Sequence, residues 1–430
     1  MFPSSSLLIT VLLALSVVGF PVATGKDAST GNLPFSLKLS LNGMKLPDLD
    51  RARASHFFTH GKQLEASSSK DSEEALSRLN RRASNINVTN TAVQYVANVD
   101  IGNPATSYTL LIDTGSSNTW IGANKTYSTT EVSKGTGQTF TVTYGSGNVT
   151  GSEYIDTLAL SSSLVIDQQS IGVATSSNGL EGLDGILGLG PVDLTQGTVS
   201  DTSKVPTVAD NLYSQKKINT EVVGISFNPA TSASETNGEM TFGGDDSSKY
   251  DGPITYAAIT KQSPAKRYWG YEQTVTYGSS GEKVLSSTAG ILDTGTTLLL
   301  LATDAFNRYK NLTGATYDQG TGLLMITSSQ YQNLQSLYFQ VNKAKFELSP
   351  NAQIWPRLLN TYIGGTNQNI YLIVSDLGTN SGQGLDFING GQGLDFINGY
   401  TFLERFYSVY DTTNKRIGLA TTSNTKATTN

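Results

Sequence analysis

Leu110-Leu111-Ile112-Asp113-Thr114-Gly115-Ser116-Ser117 is answered 180 positions later by Gly290-Ile291-Leu292-Asp293-Thr294-Gly295-Thr296-Thr297. Each copy runs from apolar residues through Asp-Thr-Gly into a pair of hydroxyl residues. Average residue usage gives one such motif in a chain this long roughly one time in a hundred. A single copy reads equally well as a strand-end turn; two copies in matching frames do not. The chemistry accounts for the form. Two carboxylates held together cannot both ionise, so one keeps a proton to donate while the other serves as base. Gly115 and Gly295 let the backbone pass close behind each acid, and Thr114 and Thr294 carry hydroxyls able to bond across to the opposite loop.

What the chain lacks narrows the chemistry further. It has no Cys and only two His, His56 and His60, both upstream of the dibasic pair Arg81-Arg82, which reads as a processing site. Cleavage there leaves a mature chain with neither thiol nor imidazole. That excludes Cys and Ser/His nucleophiles and His/Cys zinc sites. Carboxylates are then the main titrating groups for acid–base work below neutrality.

Leu7 to Val22 is almost wholly apolar, and Ala23 and Gly25 supply the small residues of a signal-peptide cleavage site, although the n-region lacks Lys and Arg. Pro21 and polar flanks end the run too early for a membrane span. The expectation is a signal peptide over 1–25 and a secreted, extracellular protein with no membrane partner. Absence of cysteine, more usual in reducing compartments, sits against that expectation, so stability must come from core size. Residues 26–82 hold ten Lys and Arg against seven Asp and Glu, whereas residues 83–430 hold nineteen against twenty-eight. A basic block ahead of an acidic body reads as an electrostatically docked prosegment. An acidic body has the wrong sign for nucleic acid.

The remaining stretch, about 350 residues, reads mostly as short strands and exceeds one compact core, so two lobes are expected, 83–257 and 258–430, each carrying one Asp-Thr-Gly. Thr139 to Tyr144 alternates polar and apolar before Gly145-Ser146-Gly147, a hairpin signal, and Gln94 to Ile101 alternates similarly. Helical spacing occurs over Val205 to Tyr213, with Pro206 suited to a first turn, and over Thr303–Leu312 and Ser328–Leu337. The Ser/Thr/Asn-rich tail after Ala420 is expected to fray.

Further segments carry a resemblance. Leu111 to Trp120, Tyr144-Gly145-Ser146-Gly147, Asp184 to Gly190, Asp293 to Thr297 and Phe402 to Asp411 together resemble the pepsin-like aspartic proteases over essentially all of residues 83–430. The resemblance implies a mostly-β, bilobal fold with few short helices and a cleft between the lobes. It implies an aspartic endopeptidase acting as a monomer on peptide or protein substrates, by a reaction that needs no metal or other cofactor. Asp113 and Asp293 match the pair that activates a water; Thr114 and Thr294 match the residues bonding across the loops. Gly115 and Gly295 complete the motifs, and Ser116 and Thr296 match hydroxyls supporting ionisation of each acid. Tyr144, Gly145 and Ser146 match the tip of a flap over the substrate. Trp120 matches an indole that bonds the flap Tyr, though from sequence alone it reads also as a core aromatic. Ile186 and Thr297 are counted with the substrate-binding residues, and Asn118 as structural. Relatives that accept Lys before the scissile bond carry Asp where this chain has Ser146. Large apolar residues are therefore expected on both sides of the bond.

One departure stands out. Gly382 to Gly390 repeats without change as Gly391 to Gly399. The family threads an apolar-x-Gly segment behind each active-site loop; Ile186-Leu187-Gly188 suits the first lobe, and Ile388-Asn389-Gly390 or Ile397-Asn398-Gly399 the second. The second copy is expected to fill the slot and the first to bulge outward. If the duplication is not tolerated, the alternative is a catalytically impaired pepsin-like binding protein. Sequons at Asn87, Asn124 and Asn311 are expected to carry glycans, while a glycan at a fourth, Asn148, would crowd the flap. An inactive relative would normally have lost an Asp or the flap Tyr, and a carbohydrate-binding or structural β protein would not explain the paired motifs.

Overall fold

The computed structural model describes residues 30–38, 44–67, 94–145, 147–178, 182–230, 232, 234–378 and 393–430. The signal-like run, Arg81-Arg82, Asn87, Ser146 and the first copy of the repeat lie outside these residues. In chain order the first elements are β1 (Gly31–Lys38), α1 (Leu46–Ser67), β2 (Gln94–Ile101), β3 (Thr106–Asp113), β4 (Trp120–Ile121), β5 (Lys134–Tyr144), β6 (Gly147–Ala159), β7 (Val165–Ser177) and β8 (Gly185–Gly188). There follow β9 (Val222–Phe227), β10 (Ser234–Phe242), β11 (Asp251–Ala258), β12 (Gly270–Tyr277), β13 (Glu282–Leu292) and β14 (Leu299–Leu301). The later strands that bear on the site are Phe396–Asn398, Phe406–Asp411 and Arg416–Thr421.

Among the described residues, strands form sheets of thirteen, seven and three. In the largest, β1 lies between β10 and β2, and strands Phe406–Asp411 and Arg416–Thr421 join it beside β9 and β11. The alternation over Gln94–Ile101 becomes β2, and Thr139–Tyr144 ends β5 at the hairpin to β6, pairing Tyr144 with Gly147. In the seven-stranded sheet, β12, β13, Phe396–Asn398 and β14 are successive neighbours. One continuous apolar cluster reaches from Leu33 and Phe57 of the N-terminal segment to Leu419.

Four expectations need adjusting. The first helix of the body is Val208–Ser214: Thr207 and Asp210 form a capping box, so Pro206 precedes the cap. The segment Ser328–Leu337 is helical only to Gln332; Leu337–Val341 then alternates buried and half-buried, the period of a strand. The tail after Ala420 does not fray. Arg405 donates to the carbonyls of Asn424 (3.2 Å) and Ala427 (2.9 Å), and Asn430 donates to Ile354 O at 2.8 Å. The helix Thr303–Thr313 extends one residue past its expected end and stops at Gly314, whose φ of 67° suits a residue without Cβ.

The 26–82 block supplies α1, a helix the sequence reading did not mark. Pro47 in its first turn needs no N–H partner. Leu46, Leu49, Asp50, Ala54, Phe57 and Leu64 are all buried, a helical stripe turned onto the body. Gly61 is small where α1 meets the chain: a Cβ there would lie 2.5 Å from Pro264 Cβ.

Candidate active site

Each Asp-Thr-Gly leaves the end of a buried strand. β3 delivers Asp113, and its parallel neighbour β8 pairs Ile112 with Leu187 and Asp113 with Gly188. In the other half, β13 leads into Asp293, with Ile291 opposite Ile397 and Leu292 opposite Asn398. The second copy of the repeat therefore fills the slot; the bulge expected of the first copy falls outside the described residues. Glycine is required in both slots: a Cβ on Gly188 would lie 2.5 Å from Ser117 C, and one on Gly399 2.4 Å from Leu298 O.

The two loops meet in a symmetrical clasp. Thr114 N donates to Thr294 Oγ1 and Thr294 N to Thr114 Oγ1, both at 3.0 Å, and Thr294 Oγ1 donates to Ile112 O at 3.0 Å. Ser116 Oγ and Thr296 Oγ1 each donate to their aspartate's Oδ2 at 2.5 Å. Gly115 N and Gly295 N donate to the Oδ1 atoms at 2.9 and 3.2 Å. Both aspartates have no exposed surface. Each carboxylate is thus held in place by a hydroxyl and a main-chain N–H of its own loop.

Tyr144 and Trp120 stand near the first acid. Tyr144 is half-buried and its hydroxyl accepts from Trp120 Nε1 at 2.8 Å; the indole, fully buried, also packs beside Phe140. Burial and the nearby Asp113 push the Tyr144 phenol upward, so it stays neutral. Ile186 packs in a cluster with Val96, Leu111 and Trp120, and Thr297 is buried in the loop after the second acid. Asn118 donates to Thr198 Oγ1 at 2.8 Å, a structural bond. Asn124 and Asn311 are exposed; the Asn124 amide donates to Leu183 O at 2.6 Å.

The sequence reading missed the one side chain among the described residues that bonds to both acids. Arg53 of α1 places Nη2 2.5 Å from Asp113 Oδ1, and Nε 2.7 Å from Asp293 Oδ2. Burial opposes its charge, but the two carboxylates more than offset this and hold its pKa raised. Around it, Asp50 accepts from Thr297 N (3.1 Å) and Leu298 N (2.8 Å), and the Phe57 carbonyl accepts from Tyr268 Oη at 3.1 Å. The Phe57 ring lies beneath the guanidinium, 4.7 Å from Cζ to centroid. Gly145 packs directly on this helix, since a Cβ there would lie 2.4 Å from Arg53 Cα. The sequence signal was the helical spacing of Asp50, Arg53 and Phe57 within the basic block.

This geometry defines an aspartic protease site, and residues 94–422 match the family model described as eukaryotic aspartyl protease. The chain belongs to that family and is an aspartic-type endopeptidase. It is 59% identical to polyporopepsin of Irpex lacteus over 350 residues, covering 81% of this chain and 100% of that one. Human gastricsin is 29% identical over 304 residues, 69% of either chain. The crystal structure of the aspartic proteinase from Irpex lacteus superposes with a TM-score of 0.76 at 51% identity, covering 94% of this chain and 100% of that chain.

Proposed function

We propose that this protein is a secreted zymogen of an acid-acting endopeptidase, with Asp113 and Asp293 sharing one proton and activating a water between them. One carboxylate takes the proton of the attacking water while the other protonates the leaving amine, so a single shared proton serves both needs. No covalent acyl-enzyme and no cofactor enter this scheme. Above the pH at which both acids are charged, the proton donor is lost and activity falls. The observation carrying the zymogen reading is the Arg53 bridge. Its guanidinium stands between the two carboxylates, where the nucleophile must be held, and it neutralises the charges that would activate it. Residues 26–82 are then the prosegment, removed at or near Arg81-Arg82 to leave an N-terminus near Ala83.

Substrates are peptides and proteins bound extended beneath the flap, whose strand β5–β6 edge offers main-chain hydrogen bonds. Large apolar side chains suit the cleavage site. A Lys placed by Ser146 would lose hydration without gaining a counter-charge. The filled slot at Ile397-Asn398-Gly399 supports an active enzyme over the impaired alternative.

The test is digestion of a denatured protein at acid pH by the matured chain, with and without pepstatin. Asp113→Asn and Asp293→Asn should each abolish turnover with the fold intact; digestion by either variant would refute the assignment. N-terminal sequencing of secreted material reads the maturation site. Peptide profiling of the Ser146→Asp variant should show raised Lys acceptance with apolar cleavage little changed.

A further inference from the structure

The slots behind the two acids share a register but not a chemistry. In the first, Leu187 stands opposite Ile112; in the second, Asn398 stands opposite Leu292. Both side chains have no exposed surface, so an apolar residue fits this architecture and a carboxamide is the costlier choice. The Asn398 amide does not go unpaired. Its Nδ2 donates to Tyr271 Oη at 2.6 Å and to Gln273 Oε1 at 3.1 Å. Tyr271 Oη donates to the same Gln273 oxygen at 2.8 Å, and Gln273 Nε2 returns to Asn398 Oδ1 at 3.4 Å. Tyr271 and Gln273, both of β12, are at most 1% exposed, and the phenol's pKa is driven upward by burial, so it remains a donor. The result is a closed polar ring inside an apolar core. Replacing such a ring by well-packed apolar groups is often neutral or stabilising, so its stability alone gives little reason to keep it.

What the ring fixes lies on the other side of Asn398. Its main-chain carbonyl accepts the Asp293 N–H at 3.2 Å. The two halves also differ in how the strand behind the acid meets the strand that delivers it. β8 pairs with β3 through four successive residues, Leu110 to Asp113, whereas Phe396–Asn398 pairs with β13 only at Ile291 and Leu292 and takes its other three pairs from β14. The Asn398 peptide therefore has few ladder bonds on the side that faces Asp293. Hydrogen bonds are directional where apolar contacts are not, and a satisfied ring adds side-chain bonds that orient this peptide.

We propose that Asn398 is a positioning residue for Asp293: its carboxamide, clasped by Tyr271 and Gln273, fixes the main-chain carbonyl that receives the Asp293 N–H. The proposal rests on the endopeptidase reading above. A loosened clasp shifts one acid relative to the other, which affects alignment in the transition state more than substrate binding.

The experiment uses acid-matured enzyme, with active sites counted by pepstatin titration. Asn398→Leu should lower kcat per titrated site about tenfold while KM stays within about twofold. The apolar variant Y271F/Q273L/N398L should recover thermal stability yet keep the kcat deficit, and it carries the test where N398L does not fold. Q273M, which removes one arm of the ring, should give a smaller deficit of the same kind. Unchanged kcat per site in any folded member of this set, whatever its melting temperature, would overturn the proposal. Failure of the unmodified enzyme to digest anything in acid would instead overturn the endopeptidase reading.

Discussion

Arg53 and Asp293 meet as a two-pronged pair: Nε lies 2.7 Å from Oδ2 and Nη2 3.0 Å from Oδ1, while the same Nη2 reaches Asp113. A planar guanidinium can span two carboxylates in this way, and an ammonium cannot. Arg53→Ala should therefore open the cleft of the full-length chain. Removing one partner of a buried ion pair costs about 3–5 kcal/mol, which corresponds to at least a hundredfold tighter pepstatin binding by the unprocessed variant. Arg53→Lys should fall between. Equal inhibitor affinity for all three would remove Arg53 from the inhibitory role.

Release of α1 should depend on His56 and His60, whose rings stack at 5.3 Å beside Arg53. Burial lowers the pKa of both, and His60 and Arg53 lower that of His56 further. A base with a lower pKa when docked binds more protons when free. Docking thus keeps its full strength above the free imidazole value of about 6.5 and weakens as pH falls from there through the depressed values. Asp50 works in the opposite sense. Burial raises its carboxyl to about 7 despite the N–H groups of Leu298 and Thr297, so its cost is greatest above 7 and fades toward its ordinary value of 3.8. His56→Gln/His60→Gln should shift the midpoint of acid release downward by about half a unit or more. An unmoved midpoint in an acid titration of inhibitor binding would contradict this.

Thr294 makes one bond as acceptor and one as donor in the clasp between loops. Thr294→Val keeps the shape but orphans Thr114 N and Ile112 O in a buried site, at about 1–3 kcal/mol each. Its melting temperature should drop by several degrees, while Thr294→Ser stays near the parent. Calorimetry on both variants reads the difference.

The indole of Trp120 and the hydroxyl of Tyr144 form one hydrogen bond, so their loss should not add. Trp120→Phe and Tyr144→Phe should each lower kcat/KM about tenfold, the value of roughly 1–1.5 kcal/mol. The double variant should be little worse than either single one. Fully additive losses would mean that the bond does not couple flap and core.

Much of the site was legible because its chemistry is local. Asp113, Asp293 and their Thr, Gly and hydroxyl neighbours follow one another in sequence, and Tyr144 sits at a turn marked by glycine. Asn398 was legible as part of the slot that the second copy of the repeat fills, but its partners Tyr271 and Gln273 lie more than a hundred positions away and only sheet pairing joins them. Arg53 was hidden for a different reason. Composition gave the sign of its segment, whereas its place between the acids is set by the register of α1 against the cleft. That register comes from contacts such as Phe57 with Tyr268 and Asp50 with Leu298, each spanning more than two hundred positions. The tail misled because Ser, Thr and Asn are also the residues that tie a chain down through side-chain bonds.

β1 gives processing a mechanical meaning. Among the described residues it is the one strand joining five strands on the β10 side to seven on the β2 side. Ser36 to Lys38 pair with β2 while the whole strand pairs with β10. Withdrawing it parts the sheet along a seam and bares a row of backbone donors and acceptors on each lip. In the maturation proposed above, the cut that frees the acids would therefore also strip the sheet of a rivet, and each bared lip would need a new strand to cover it.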